Sequence, residues 1–324
     1  MAANTHLQSG EAGVHSIDHF ALSVPDLEAA RHFYRAFGLD VRDEDGNLSL
    51  YAADGHRWGR VRLNQKKALD HLLFNCYATD FPRLVGQIEA AGGRARSAAD
   101  RRSGPGYWFE DLDGNLIGIQ AASSTMPPRK TPNPQVDIPA NVRGALSRSA
   151  ITSVRPYRMS HVLLFTPDVS RSVDFYARAL GLRLSDRSGD IVAFMHAPHG
   201  CDHHLLAFAG SSARGWHHSS WDVAGVDQVG LGAAQMAAAG YTEGWGTGRH
   251  VLGSNYFHYV RDPWGSFAEY SAHIDYIEAG FPWEGQDHRP EDSLYLWGPG
   301  VPAYFIENTE APSASSEAPL PEGR

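Results

Sequence analysis

A chain of 324 residues with 42% hydrophobic and 20% charged content has the make-up of a soluble globular protein and the length for two or three domains. Its net charge of -9 and the lack of any dense basic run exclude a nucleic-acid partner, leaving small neutral or modestly charged ligands. No stretch has the apolar length of a membrane span, MAANTHLQSGEAG lacks a secretory pattern, and Cys76 and Cys201 are too few for a disulfide framework. A cytoplasmic protein with no membrane partner is therefore expected.

Taken along the chain, residues 1–14 read as a flexible start. Ile17 to Leu39, IDHFALSVPDLEAARHFYRAFGL, opens with alternating apolar residues and a Pro-Asp turn, where Asp26 can cap a helix carrying Phe33 and Tyr34. ALDHLLFNC follows with His71, then an alanine-rich helix ending at AAGG, then a strand pair with a short turn from Gly106 to Gln120. Prolines in MPPRKTPNPQVDIPANV mark an extended linker over 123–154. Met159 to Leu182, MSHVLLFTPDVSRSVDFYARALGL, then repeats the opening unit with one extra residue, Asp168 standing where Asp26 stood. GWHHSSWDV matches ALDHLLFNC, an alanine-rich helix ends at AAAG, and Asn255 to Tyr270 supplies the last strand pair. The chain is an internal duplication. A strand, helix and three-strand unit leaves one sheet face open, and two such units can close on each other as a cup. Beyond it, 276–310 is too aromatic for a solvated tail and is expected to pack on the second copy near the cup's mouth, while 311–324 reads as a disordered tail.

Eleven of the 17 histidines lie after residue 160, so a histidine-built site belongs in the second copy. Two histidines and a carboxylate on separate strands can hold a divalent iron on one face with open positions opposite, and His161, one of His217 and His218, and Glu269 offer that set. Alternation along a strand puts His217 and His218 on opposite faces, so one of the two reaches the cup; the same reasoning applies to His203 and His204. Aligning the copies sets His19 and His71 against His161 and His218, Gly118 against Glu269, Trp108 against Tyr259 and Ala99 against His250. The first copy thus lacks the carboxylate and is expected to be structural, with Gln120, two residues on, as the remnant of a weaker site.

This pattern resembles the vicinal oxygen chelate superfamily, and the order of the second-half motifs resembles its two-domain type I extradiol ring-cleavage dioxygenases. The resemblance covers about residues 15 to 275 and implies an α+β fold of tandem paired βαβββ modules in two cupped-sheet domains, a first over 15–122 and a catalytic one over 155–275. It implies His161, His218 and Glu269 as ligands of Fe(II), in preference to Mn(II), with His218 rather than His217 as the second. It also implies His204 as acid/base, and His250 and Tyr259 as catalytic and substrate-binding groups. The activity implied is insertion of both atoms of O2 into a catechol, by a homo-oligomer in aromatic catabolism. Acid-accepting members carry an arginine where this chain has Trp245, so a neutral, substituted or bicyclic catechol is expected, with Trp245, Phe194, Phe257 and Trp264 as apolar walls and Arg249 turned away. A glyoxalase-like lyase or isomerase is the alternative, but it would draw ligands from paired modules, and Gly118 breaks one set. A noncatalytic binding protein would not need the three ligands.

Overall fold

The computed structural model describes residues 12–96, 106–132 and 138–312. The first copy runs β1 (Val14–Val24), α1 (Leu27–Phe37), β2 (Asp40–Glu44), β3 (Asn47–Tyr51), β4 (Arg57–Leu63), β5 (Ala68–Cys76), α2 (Phe81–Ala91), β6 (Arg94–Ala95), β7 (Tyr107–Glu110) and β8 (Leu116–Ala121). The second runs β9 (Arg158–Thr166), α3 (Val169–Leu180), β10 (Arg183–Ser188), β11 (Val192–His196), β12 (Cys201–Asp202), β13 (Leu206–Gly210), β14 (Gly215–Asp222), α4 (Val226–Ala238), β15 (Gly244–Arg249), β16 (Tyr256–Arg261) and β17 (Phe267–Ala272). The C-terminal segment adds β18 (Tyr276–Ile277), β19 (Gln286–Asp287) and the short helix α5 (Pro290–Ser293).

The strand orders, β2-β3-β4-β1-β5-β8-β7-β6 and β15-β16-β17-β14-β9-β13-β11-β10-β19, explain the duplication. The strand, helix and three-strand unit occurs twice in each copy, and the two units join where β1 pairs antiparallel with β5, and β9 with β14. The sheet that curls into a cup therefore lies within a copy, not between copies. Asp26 accepts from the backbone amides of Glu28 and Ala29, and Asp168 from that of Arg171, so each Pro-Asp turn starts a helix as expected. Gly38, at φ 101°, ends α1; a side chain there would also run into the Val154 carbonyl, 2.1 Å from an added Cβ.

The two copies share one core. Phe37 of α1 stacks on Tyr270 of β17 at 3.9 Å between centroids, and Phe20 of β1 packs on Trp216 of β14 at 4.8 Å. Polar contacts cross too: the Tyr176 hydroxyl donates to Asp111, and the largely covered side chain of Lys67 reaches the Trp216 carbonyl and Glu310 of the C-terminal segment. Cys76 and Cys201 are buried free thiols, and among the described residues no helix is long and apolar enough to cross a membrane. Ala99, part of the expected linker and all but the first two residues of the expected tail lie outside the described residues.

Candidate metal centre

His161, His218 and Glu269 sit on the neighbouring central strands β9, β14 and β17. On β9, His161, Leu163 and Phe165 recur every second residue and face one cavity, while Val162 and Leu164 enter the core behind the sheet. Glu269 pairs with Ser220, two residues past His218, which brings the three side chains to one point. Glu269 Oε2 lies 3.3 Å from His161 Nε2 and 3.7 Å from His218 Nε2. Among the described residues this is the one group of three donors that meets, all within 4.8 Å.

The donors fit a divalent cation. Glu269 is fully buried, and its Oε2 and the His218 Nε2 have no hydrogen-bond partner among the described residues. Leaving two buried polar atoms unpaired is costly, and a shared cation is the partner this chemistry wants. Burial alone would raise the Glu269 carboxyl, yet its contact with His161 holds it below its ordinary range, so it stands ionised.

Hydrogen bonds behind the site decide which imidazole nitrogen is free. The Phe305 carbonyl can only accept, so His217 donates to it from Nε2 at 2.7 Å; His217 Nδ1 then accepts from His218 Nδ1 at 2.6 Å, leaving the His218 Nε2 lone pair for the cation. Ser160 donates to Asp202 at 2.6 Å and accepts from His161 Nδ1 at 3.3 Å, with the same result for His161. His250 donates from Nδ1 to the Leu294 carbonyl at 2.7 Å and presents Nε2 to the Tyr259 hydroxyl at 3.0 Å. Asn255 donates to Glu269 Oε1 at 3.1 Å and steadies the carboxylate. Burial pushes His218, His204 and His250 below the ordinary histidine range, and burial followed by the Glu269 charge pushes the Tyr259 phenol up, so the imidazoles are neutral and the phenol keeps its proton.

The structure corrects three expectations. His217 does not point away from His218. It is the extra residue of a bulge, since Trp216 pairs with Leu164 and His218 with Leu163, and both rings border the cavity. His203 and His204 lie between β12 and β13, outside any strand, so alternation does not govern them; only His204 borders the cavity, its ring 4.0 Å from that of His161. Trp245 and Phe194 line the cavity, but Phe257 stacks behind His250 at 4.0 Å, and Trp264 borders a separate surface groove. Arg249 lies over the Tyr256 ring, off the cavity. Sequence reading missed Asn255, Asp186, Ser160, the contact of His203 behind His204, and the carbonyls of Leu294 and Phe305; the adjacent histidine pairs were the available signal for two of these contacts.

In the first copy, Leu73 pairs with Gly118 and Trp108 faces Gly118, as Ser220 pairs with Glu269 and Tyr259 faces it. A Cβ on Gly118 would come within 2.7 Å of the Trp108 ring and 2.8 Å of Leu73, so the indole fills the carboxylate's space. His19 and His71 instead bring their Nε2 atoms 3.2 Å apart. Gln120 donates to Asn75 at 2.9 Å and to Asp18 at 3.1 Å.

The cavity in front of the three donors measures about 420 Å³, and its lining is mainly apolar. Leu163, Phe165, Val192 and Phe194 form one wall, Leu294, Phe305 and Ile306 of the C-terminal segment another, and among the described residues neither lysine nor arginine takes part. Asp190 at its edge pairs with Arg187 at 2.8 Å.

Comparison with known proteins gives a consistent picture. The family model described as the Glyoxalase/Bleomycin resistance protein/Dioxygenase superfamily matches residues 16–119 and 158–270. Metapyrocatechase 2 of Cupriavidus necator is 57% identical over 300 residues, covering 92% of this chain and 93% of that protein. Among solved structures, the Mn(II)-bound glyoxalase from Novosphingobium aromaticivorans superposes with a TM-score of 0.73 at 24% identity, over 91% of this chain and 94% of that one. Homoprotocatechuate 2,3-dioxygenase from Brevibacterium fuscum, in complex with 3,4-dihydroxyphenylacetate, gives 0.72 at 20% identity, over 92% and 93%. At these identities the two structures speak for the fold.

Proposed function

The chain belongs to the glyoxalase/bleomycin resistance protein/dioxygenase superfamily, and on that premise we propose that it is an extradiol dioxygenase that opens a catechol ring beside its two hydroxyl groups. The observation that carries this reading is the convergence of His161, His218 and Glu269 on the floor of an apolar cavity that His204, His250 and Tyr259 also enter. The high identity with a metapyrocatechase over nearly the whole chain supports the same activity. Fe(II), in preference to Mn(II), is the metal we assign from the resemblance to the extradiol dioxygenases, since the donor set itself accepts either ion; His161, His218 and Glu269 would hold it. When bound, it would supply a Lewis acid and an electron conduit for the catechol oxygens and dioxygen.

The protein's own groups divide the remaining work. His250 Nε2, with its Nδ1 hydrogen committed to Leu294, can take a proton from a catechol hydroxyl, and the Tyr259 O–H can donate to the oxygen left behind. His204, beside His161, moves a proton at its Nε2 as the ring opens. Leu294 and Phe305 keep water from the reacting face. The carbon–carbon bond next to the hydroxylated carbons breaks, and one atom of dioxygen ends in a carboxylate, the other in an aldehyde or ketone.

With neither lysine nor arginine in its lining among the described residues, the cavity favours a neutral catechol carrying an apolar or second-ring substituent over an acidic one. We place the protein in the cytoplasm as a homo-oligomer. The test is anaerobic loading with Fe(II) or Mn(II), then oxygen and a panel of neutral and acidic catechols. Oxygen uptake and yellow product with neutral catechols and Fe(II) are expected; metal binding without uptake on any catechol would overturn the reading in favour of a lyase.

A further inference from the structure

Behind His204 lies a hydrogen-bonded chain that neither metal binding nor core packing requires. His204 Nδ1 is 3.0 Å from His203 Nδ1, and His203 Nε2 is 2.8 Å from Asp186 Oδ2. All three residues are buried, and of the three only His204 borders the cavity. We propose that Asp186 and His203 act as a positioning pair that fixes the tautomer of His204, holding its hydrogen on Nδ1 so that Nε2 offers a lone pair to the cavity.

The direction of the chain follows from its anchor. A carboxylate can only accept, so His203 carries its hydrogen on Nε2; in the neutral ring its Nδ1 is then an acceptor, to which His204 Nδ1 donates. The far side of the carboxylate is also settled, because Asp186 Oδ1 accepts from the Gln286 amide at 2.9 Å and from His288 Nε2 at 3.3 Å. His203 cannot easily turn. Its amide donates to the Asp275 carbonyl at 2.6 Å, its carbonyl accepts from the Ser185 hydroxyl at 2.5 Å, and Trp283 meets its ring edge-on at 5.6 Å. The arrangement parallels Phe305, His217 and His218, but its anchor is a charge and its end is a proton-moving group, not a ligand.

Asp186→Asn is the informative change. The fixed Gln286 amide keeps the asparagine oxygen on its own side and turns the NH2 toward His203, which reverses the chain and puts the hydrogen of His204 on Nε2. We expect kcat to fall by about 10- to 100-fold while metal content and catechol KM stay near wild type. His203→Leu should behave likewise, whereas His203→Gln, which can still accept from His204, should recover most of kcat. Turnover depends on the extradiol reading, so a second measurement is independent of it: 15N spectra of the histidine-labelled full chain carrying Zn(II). These should show His204 with a protonated Nδ1 in wild type and a protonated Nε2 in Asp186→Asn. Wild-type kcat in Asp186→Asn, or a His204 hydrogen on Nε2 in the wild-type spectrum, would overturn the proposal. Absence of any turnover in wild type beside the expected 15N pattern would count against the extradiol reading alone.

Discussion

His217→Phe separates packing from control of a ligand. The imidazole lies among Phe165, Phe267 and Phe305, with centroids 5.0, 5.3 and 4.8 Å away, so a phenyl ring of similar size keeps the apolar contacts. Lost are the 2.7 Å bond to the Phe305 carbonyl and the 2.6 Å bond from His218 Nδ1. Without an acceptor at Nδ1, His218 is free to place its hydrogen on Nε2 or to turn, and support of this kind is worth about 10- to 100-fold in metal affinity, or about 1.4–2.7 kcal/mol. The stranded carbonyl should lower the stability of the metal-free protein by a further ~1–3 kcal/mol. Anaerobic competition for Fe(II) against a chromophoric chelator measures the first, and denaturant unfolding of the metal-free chain the second. A variant that binds Fe(II) as tightly as wild type would refute the argument that His217 governs His218.

Four further outcomes are expected. Glu269→Gln should lose metal and turnover together, measured by metal analysis and oxygen uptake; retained iron would show that the carboxylate is not a ligand. His204→Phe should keep its metal but lose turnover by about 100-fold or more, and normal turnover in the purified variant would remove His204 from the chemistry. Gly118→Ala should cost ~1–3 kcal/mol in unfolding free energy through overpacking against Trp108 and Leu73, with the second copy's metal affinity unchanged. Burial, as the largest cause, pushes His15 from 6.5 to about 4 and His196 to about 3. Because these folded values lie below the unfolded one, the unfolded chain binds more protons on acidification, so stability should fall as the pH drops below ~6.5, by up to ~1.4 kcal/mol per pH unit for each group. A melting temperature that holds steady from pH ~7 to ~5 would contradict this.

Much of the centre was legible because the duplication placed it. Once Ile17 to Leu39 and Met159 to Leu182 were matched, His161, His218 and Glu269 fell at fixed positions on three strands, and the pairings of Gly118 and Trp108 follow the same alignment. The Pro-Asp turns were legible because a capping side chain acts within three residues of itself. What escaped depended on departures from regularity. The bulge at His217 defeats strict alternation, and His203 and His204 lie where no strand rule holds. The acceptors at Leu294 and Phe305 are backbone carbonyls, which any residue would supply, so their role is invisible until the C-terminal segment is seen folded over the cavity. Phe257 and Trp264 show the same limit for aromatic walls: composition identifies an apolar residue, but only packing decides which side of the sheet it covers.

The central claim is that the His161, His218 and Glu269 centre opens a catechol with both atoms of dioxygen, and its most direct test follows those atoms. Fe(II)-loaded protein should be mixed with a neutral substituted catechol under isotopically heavy oxygen gas, and the product examined at once by mass spectrometry, before its aldehyde or ketone oxygen exchanges with water. The account predicts a ring-opened product carrying both heavy atoms, formed with equimolar oxygen uptake. Product formed at full rate without oxygen, or carrying no heavy atom, would contradict it.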